Sequence, residues 1–433
     1  MGSFLQQPIA DVAQRVPPWM QSLQAAGLAH WQQSSWPTRR TEAWKYTSLK
    51  PLRDDYTFIT PDQSTYQPEA PLKPLSGDCQ LVFVDGVYRA DLSSAVSQDG
   101  VAVCRFDEAN AEQQEVIRQR LNSSLSQEQH MFAALNTATL HDGVLLEIAA
   151  NYSGDAVVEV LSISGAHDSP VASNQRLLVV ANPGSTATVV ERFVSLDGGC
   201  ASFSTGVTEL FVGANACVKH YRLHEERDAA VHIGGVYTRL DRDARLQSFH
   251  LALGSELKRL DLLVHHDAPG AHAGINGVYL PRGRELIDYH TTIEHAVPHC
   301  TTDEVFRGII GDSATAVFNG RIHIHQDAQK TLAELSNRNL LTSARAQINT
   351  KPELEIYADD VRCAHGATVA QLDKAALHYL RARGVEKHDA EMMLSFGFIN
   401  ELIDAIEIDA IGTHLRDLVA TSYFKPSRQG DAG

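Results

Sequence analysis

The sequence predicts a mainly β protein: a right-handed parallel β-helix, a type of solenoid, flanked by N-terminal and C-terminal helical regions. Three observations support this fold class. From about residue 143, apolar and polar residues alternate, which is the period of a β-strand. Turn signals recur through the same region at a nearly constant interval. The segments on either side of it carry apolar residues at helical spacing.

The recurring turn signals are the basis for a solenoid. Successive signals are separated by about 32, 27, 27, 29, 29 and 25 residues. A short alternating segment follows each one, and such a unit buries its apolar face only by stacking on its neighbours. A β-sandwich also has short strands at regular spacing, but the steady interval favours the solenoid. The signals lie at Pro183-Gly184, Asn215, Arg242, Pro269-Gly270, Pro298, Asp327 and Pro352.

These patterns divide the chain into three predicted regions. Residues 1–135 form an N-terminal helical region with a proline-rich linker at 61–75, and residues 136–366 form the β-helix core. Residues 367–433 form a C-terminal helical region. In the N-terminal region, Gly27 is expected to end the first helix, and residues 107–135 are expected to be helical.

Three C-terminal helices are predicted. The first runs from Ala370 to Arg383 and stops at Gly384, a residue that favours the left-handed conformation at a helix end. The second covers 388–406 and the third 411–421. A solenoid has an exposed strand at each end, and helices at both ends are expected to cover those edges.

Composition excludes several classes of function. The chain has 433 residues and a net charge of −16, which disfavours nucleic acids and anionic membranes as partners. Its six cysteines form no C-x-x-C pair, and no P-loop for nucleotide binding is present. No secretory h-region and no apolar run of membrane-spanning length is found. We expect a cytoplasmic protein with reduced thiols that does not bind a membrane.

Histidines are concentrated in the predicted solenoid. The chain has 20, and 13 of them lie between His220 and His365. Because strand side chains alternate, His323 and His325 share one face, and so do Cys363 and His365. Either pair has donors that suit a soft or borderline metal. Hydrogen-bonded histidines on an outer face, and a cysteine that acts as a small apolar residue, are the alternative interpretations.

Three groups of residues raise further functional alternatives. The His323 and His325 pair lacks the carboxylate spacing of a cupin metal site, since Glu334 follows nine residues later. Asp359 and Asp360 are adjacent and face opposite sides of a strand, which argues against a polysaccharide-acting β-helix enzyme. The Trp-Lys-Tyr cluster at 44–46 is either an aromatic docking site or a packed anchor.

The run CAHGATVAQLD from Cys363, followed by ALHYLRARG, resembles the SufB/SufD family of iron–sulfur cluster assembly proteins. The N-terminal RTEAWKYTSL segment from Arg40 is similar to a segment of the same family. In the SufB branch a glutamate stands where this chain has Gly366, and a reactive cysteine lies upstream, whereas here no cysteine occurs between Cys300 and Cys363. The resemblance is therefore closer to the SufD branch, and it spans essentially the whole chain.

The resemblance implies a scaffold subunit rather than an enzyme. It implies a heterodimer with SufB through the end of the β-helix, and docking of the ABC-type ATPase SufC on the C-terminal helices. The residues expected in the docking helix are Gln371, Leu372, Leu377, Tyr379 and Leu380. A homodimer of the isolated chain through the same edge is the alternative pairing if SufB is missing, because an unprotected strand edge pairs readily; the sequence does not decide the oligomeric state of the isolated chain.

The resemblance also implies the site residues. His365 matches a family histidine near the place where clusters form, and Cys363 is a candidate second ligand. The expected ligand is iron or a nascent iron–sulfur cluster, transient and shared with SufB, and no group is expected to stay tightly bound to the isolated chain. A flavin is implied for the family's complexes, but no residue here locates it. A purely structural heterodimer subunit without a ligand role is the main alternative.

Overall fold

The structure is a computed structural model that describes residues 5, 9–10, 16–59, 74–75, 79–94, 99–196 and 201–422. These residues form a parallel β-solenoid of two ten-stranded sheets, with helices on the outside. Successive strands of the solenoid alternate between the sheets, so one strand from each sheet makes one coil. The prediction of a mainly β solenoid flanked by helices is confirmed. The predicted linker falls mostly in residues 60–73, outside the described residues.

The strands are short before the solenoid is established and about ten residues long afterwards. In chain order they are β1 (Thr57–Phe58), β2 (Cys79–Val84), β3 (Val87–Tyr88), β4 (Val101–Arg105), β5 (Val144–Ile148), β6 (Val157–Ser164), β7 (Val171–Ala181), β8 (Thr186–Ser195), β9 (Ser202–Val212), β10 (Cys217–His224), β11 (Ala230–Leu240), β12 (Arg245–Leu253), β13 (Leu257–His266), β14 (His272–Leu280), β15 (Leu286–His295), β16 (Thr301–Ile310), β17 (Thr315–Ile324), β18 (Leu332–Leu341), β19 (Gln347–Ile356) and β20 (Arg362–Gln371).

Six α-helices with described bounds flank these strands. They are α1 (Gln21–Gln33), α2 (Ala111–Arg120), α3 (Met131–Ala138), α4 (Lys374–Ala382), α5 (Lys387–Asp404) and α6 (Asp409–Ser422). Sheet 1 has the order β4-β5-β7-β9-β11-β13-β15-β17-β19, and β1 pairs with β7. Sheet 2 has the order β3-β2-β6-β8-β10-β12-β14-β16-β18-β20. Within the described residues, no helix is both long and apolar enough to cross a membrane.

The coils repeat at the interval that the sequence predicts. From β5 onward, paired residues in successive coils are 26 to 33 residues apart, as Val231 with Leu257 and Val144 with Leu177 illustrate. Six of the seven predicted turn signals lie at one corner, where a sheet 1 strand passes to sheet 2. Pro352 is the exception, because it lies inside β19. Since β19 is the last strand of its sheet, a residue without an N–H group is tolerated there.

Aromatic side chains fill the bore between the two sheets, and glycines in adjacent coils make room for them. A Cβ atom added at Gly277 would lie 2.1 Å from the ring of Phe306. One added at Gly308 would lie 2.1 Å from the ring of Tyr279. Both rings are fully buried. These glycines are therefore required for space, since the ring of a neighbouring coil occupies the place of their side chains.

A buried polar network also crosses the bore. Glu191 accepts hydrogen bonds from His220 Nε2 at 2.8 Å, from Arg222 Nη1 at 2.8 Å and from Thr208 Oγ1 at 2.7 Å. Burial alone would raise the pKa of Glu191, but the charges of Arg222 and His220 and these hydrogen bonds lower it to about 2. Each buried charge is paired, which offsets the cost of removing it from water.

The N-terminal helices cover the outer face of sheet 1. Trp31 on α1 and Phe132 on α3 pack together with Trp44 and with Phe203 of β9. The prediction that Gly27 ends the first helix is wrong, because α1 continues to Gln33. Gly27 instead allows close helix packing, since an added Cβ would lie 2.7 Å from Thr137 Cβ. The predicted helical region 107–135 is divided into α2 and α3.

The C-terminal helices turn back over the outer face of sheet 2. Buried residues of α5 and α6 pack against the outward-facing apolar residues of β8, β10, β12, β14, β16 and β18. Arg307 Nη1 donates to the carbonyl oxygen of Phe398 at 2.8 Å, which fixes α5 to β16. His414 on α6 contacts the carboxylate of Glu225 at 2.9 Å. α5 and α6 therefore cover the outer face of sheet 2. They do not cover the C-terminal end of the solenoid, where the sequence predicted a helical cap.

We predict that Gly277→Ala lowers the free energy of unfolding by about 1–3 kcal/mol, because the new methyl group overlaps the ring of Phe306. Gly274→Ala is the matched control in the same strand, since an added Cβ there meets only ordinary contacts at 3.7 and 3.8 Å. Urea unfolding followed by circular dichroism measures both variants. Equal stability of the two variants would contradict this account of the bore.

Candidate functional site

The two ends of the solenoid are built differently. At the N-terminal end the sheets finish in the short antiparallel strands β3 and β4, and short edge strands resist pairing with other chains. Within the described part of the chain they finish at the C-terminal end in β19 and β20, which are ten residues long and paired on one side only. The C-terminal end therefore presents backbone donors and acceptors in two long open edges.

Apolar side chains are exposed around this open end. The last coil has an exposed tyrosine, an exposed isoleucine and an exposed valine, and the coil before it adds a leucine. Their exposed fractions are 64% for Tyr357, 40% for Ile356, 51% for Val369 and 42% for Leu332. Almost every residue of β20 is exposed to solvent. Exposed apolar groups beside unpaired strand edges are typical of a surface that pairs with another polypeptide.

His365 and Cys363 lie on β20, at this open end. The register of β20 with β18 places Cys363 beside Ala333 and His365 beside Leu335. Ala333 and Leu335 are buried in the bore, so both predicted site residues are on the bore-facing side of the last strand. The predicted common face of the pair is thus explained by strand alternation. Because no further coil follows among the residues that the structure describes, His365 is exposed.

The two side chains differ in their surroundings. Cys363 packs against the bore, and burial raises the pKa of its thiol above the ordinary value. The sulfur is therefore a thiol at neutral pH, which is a weak nucleophile and a weak metal ligand. The imidazole of His365 forms no hydrogen bond or ion pair within the described part of the chain. Its ring nitrogens are therefore available as ligands at the open end.

The pair does not form a complete metal site. Across the described ranges, no third histidine, cysteine or carboxylate joins Cys363 and His365 in a ligand cluster. His323 and His325, the other predicted pair, lie on the outer face of sheet 1 and do not meet them. A closed structural zinc site or an iron–sulfur cluster takes about four protein ligands. Among the described residues, the C-terminal end of the solenoid supplies two candidate ligands, Cys363 and His365.

A ladder of asparagines holds the last coil in place. The side chain of Asn337 donates to the hydroxyl oxygen of Tyr279 at 2.9 Å and accepts from Thr350 Oγ1 at 2.8 Å. Asn339 Nδ2 donates to Asn337 Oδ1 at 2.6 Å and to the carbonyl oxygen of Thr368 on β20 at 3.4 Å. Sequence reasoning missed this ladder, although the alternation of Asn337 and Asn339 on one strand face was a usable signal.

The helix that follows β20 starts later than predicted. α4 begins at Lys374, after its N-cap Asp373, whose side chain accepts from the backbone N–H of Ala375 at 2.8 Å. The placement of Gln371 and Leu372 in this helix is therefore wrong. Gln371 is the last residue of β20, and Leu372 lies in the connection and packs towards the C-terminal helices.

The rest of the predicted docking helix is accessible. Leu377 and Leu380 on α4 are half-buried, and Tyr379 has an exposed fraction of 57%. No residue of α4 is buried, and its principal neighbour is α5. An amphipathic helix without a buried residue leaves an apolar surface available to a partner. The docking role of these residues stays a prediction.

Of the Trp-Lys-Tyr cluster at 44–46, the first residue packs against the rest of the protein. Trp44 packs against Phe132 and lies under the guanidinium of Arg259, 4.6 Å from its ring centroid. Arg259 Nη1 also donates to the carbonyl oxygen of Ala43 at 2.7 Å. Tyr46 remains exposed. The cluster therefore fixes the N-terminal segment to the outer face of sheet 1, on the side of the solenoid away from the bore-facing His365.

Comparison with known proteins gives two family matches and several relatives. The model described as "SufBD protein N-terminal region" matches residues 3–160. The model described as "SUF system FeS cluster assembly, SufBD core domain" matches residues 162–398. The second match extends from β6 into α5 and therefore includes the whole open end with Cys363 and His365.

Curated relatives match over most of their length. The iron–sulfur cluster assembly protein SufD of Escherichia coli is 32% identical over 380 residues, which cover 87% of this chain and 86% of the relative. An iron–sulfur cluster assembly SufBD family protein of Synechocystis is 30% identical over 400 residues, covering 89% and 87%. SufD of Bacillus subtilis is 24% identical over 333 residues, covering 76% and 75%.

We predict that Cys363 is alkylated by iodoacetamide more slowly than a free cysteine at pH 8. Because burial raises the pKa of its thiol, its rate should continue to rise with pH beyond the value at which a free thiol is fully ionised. Mass spectrometry of the Cys363 peptide measures the rate from pH 6 to 11. The urea-unfolded chain is the control and should follow the ordinary profile. A rate at Cys363 that is already constant at pH 7 would contradict the prediction.

Proposed function

The chain belongs to the SufB/SufD family of iron–sulfur cluster assembly proteins, and we propose that it is the SufD-like subunit of a complex with SufB and SufC. Family membership gives it a role in iron–sulfur cluster assembly within the SUF system. The finer proposal is that it pairs with SufB through the open C-terminal end of the solenoid. There it supplies a ligand for iron or for the nascent cluster.

One observation carries the proposal: His365 lies on the long edge strand β20, and its bore-facing imidazole forms no hydrogen bond or ion pair within the described part of the chain. A second β-helix with a similar open end can add its own edge strands to β19 and β20 through backbone hydrogen bonds. Such pairing would cover the apolar groups exposed on the last coils. It would also bury His365 at the junction between the two chains.

The incomplete ligand set supports a shared site. His365 is an available donor, Cys363 is its neighbour on the same strand face, and further ligands are required. In the proposed complex these come from SufB. Binding of iron would also deprotonate the thiol of Cys363, because a cation coordinated by sulfur favours the thiolate. Cys363 then becomes a second, transient ligand after iron has entered.

The proposal assigns nucleotide chemistry to another subunit. The chain has no P-loop, and it is proposed to be a non-catalytic scaffold, with ATP hydrolysed by SufC. The exposed side of α4, which includes Leu377, Tyr379 and Leu380, is proposed to dock SufC. Because α4 follows β20 directly, movement of SufC would reach the open end through the short connection at Leu372. Nucleotide binding then opens the junction by favouring one of two arrangements.

The test of the ligand role compares His365→Ala with the wild type in a complex co-purified with SufB and SufC. We expect the variant complex to assemble normally but to form little cluster in anaerobic reconstitution, measured by absorbance and iron content. His272→Gln is the matched control, because His272 lies on the same sheet, three strands away and on the outer face. Equal cluster yield from wild type and His365→Ala would overturn the ligand role and leave a purely structural subunit.

The two proposed interfaces can be separated by mutation. Val369→Lys places a charge on β20 and should abolish pairing with SufB while SufC binding persists. Tyr379→Ala on α4 should have the opposite effect and weaken binding of SufC at least tenfold. Both side chains are exposed, so the isolated variants should keep the wild-type melting temperature. Size-exclusion chromatography of each pairwise mixture measures the complexes. Loss of both partners in either variant, or of neither, would contradict the assignment of surfaces.

A further inference from the structure

A cluster of two histidines and a glutamate lies on the outer face of sheet 1, apart from the open end. His323 Nδ1 is 2.6 Å from Glu294 Oε2, and His325 Nε2 is 3.0 Å from the same oxygen. The two imidazole rings are 4.2 Å apart between centroids. The three potential ligand atoms lie within 4.8 Å of one another. Two imidazole nitrogens thus contact the same carboxylate oxygen.

The solenoid register creates this cluster. Glu294 on β15 is paired with His323 on β17, and His325 follows two residues later on the same side of the chain. The three side chains alternate with the bore-facing residues Ile293 and Ile322, so they face outward. The carboxylate that the His-x-His pattern lacks nearby in sequence is supplied by the preceding coil, 29 residues earlier.

A neighbouring arginine orients the carboxylate. Arg321 Nη1 donates to Glu294 Oε1 at 2.9 Å, and this leaves Oε2 for the two histidines. Arg321 is itself held by Glu355 of β19, with both contacts at 2.8 Å. An outer partner that fixes the second oxygen of a carboxylate is a usual feature of metal sites in proteins.

The chemistry of the three donors suits a transition metal. The carboxylate of Glu294 offers an anionic oxygen ligand in contact with both histidines. Neutral imidazole nitrogens complete a donor set that first-row divalent ions accept readily.

The cluster is open on its outer side. The side chain of His325 is 44% exposed, while those of Glu294 and His323 are 17% and 18% exposed. Glu294 and Arg321 also line a surface groove of about 510 Å³ together with His265, His290 and Thr292. Solvent can therefore reach the point on which the three ligand atoms converge. Sites that exchange ions or ligands keep such an open position, whereas structural sites are closed.

We propose that Glu294, His323 and His325 bind a divalent first-row transition-metal ion, with water at the remaining positions. Ligand atoms around a four-coordinate ion with bonds of 2.0–2.1 Å are about 3.3 Å apart. The three ligand atoms now lie within 4.8 Å of one another, and reaching this spacing requires the 2.6 and 3.0 Å contacts to lengthen and the distance between the two nitrogens to adjust. The ion then replaces the protons that the histidines now direct at Glu294. This inference rests on the cluster alone and does not require the proposed partners.

A second histidine and glutamate cluster differs in its surroundings. His224, Glu226 and His232 also converge, but all three are fully buried. The ammonium of Lys258 lies 3.9 Å from Glu226 Oε2, and its Nζ donates to the carbonyl oxygen of Glu226 at 2.6 Å. A cation from the protein is therefore already present, and no solvent-exposed side is available for an ion to enter.

Titration of the metal-free full-length chain with Co²⁺ tests the proposal, because the visible spectrum of bound Co²⁺ reports its coordination. We expect one site that is lost in the His323→Ala, His325→Ala double variant and weakened at least tenfold by Glu294→Gln. Matched controls are His272→Gln on sheet 2 and Glu334→Gln, an exposed carboxylate on the outer face of β18. Both controls should bind Co²⁺ as the wild type does.

A second measurement covers the case in which the double variant folds poorly. His325→Ala alone removes a partly exposed side chain and should lower the affinity at least tenfold with an unchanged melting temperature. Zn²⁺ should compete for the same site in calorimetry. The inference would be overturned if the wild type did not bind Co²⁺. It would also be overturned if the double variant and His325→Ala bound Co²⁺ as the wild type does. Loss of cluster assembly in the His365→Ala complex would not bear on it, so the two proposals fail independently.

Discussion

Parallel pairing between successive coils is the constraint on which this structure depends. Each strand shares its backbone hydrogen bonds with the coil before and the coil after, and the register of that pairing is fixed by the length of one coil. Within the described residues the last coil has no successor, so β19 and β20 keep one open edge each. The hydrogen bonds of Asn337 and Asn339 tie that coil to the coil before it. The proposed partner would therefore pair with strands whose position is already fixed within this chain.

The same constraint decides which side chains form sites. Outward residues at equal register come together across coils, as Glu294 does with His323, although they are about one coil apart in sequence. Inward residues of the last described coil have a neighbouring strand on one side only, as His365 does. The proposed outer site therefore has its three candidate ligands within the chain, whereas the proposed site at His365 requires ligands from a partner. The proposals made for them differ for this reason: the first is tested on the isolated chain and the second in a complex.

Local patterns predicted the fold well and the sites only in part. The interval between turns predicted the coil length, because each corner needs a residue that tolerates a tight turn, such as Asn215 with its positive φ. Pro352 was misplaced, since its tolerance depends on β19 being an edge strand. Alternation predicted that His323 and His325 share a face, as do Cys363 and His365. It did not predict Glu294 or the asparagine ladder, because their partners lie in other coils. The start of α4 was missed because β20 continues to Gln371 and alternation within it is weak.

The close packing of Gly277 on Phe306 and of Gly308 on Tyr279 constrains how the sequence of this solenoid evolves. In both pairs the glycine and the ring are 29 residues apart, which is one coil. A larger residue at either glycine is acceptable only after the ring in the adjacent coil has become smaller. Substitutions in the bore are therefore expected to accumulate as pairs separated by one coil. Relatives that have exchanged the two partners, with the ring in one coil and the glycine in the next, would preserve the same internal shape.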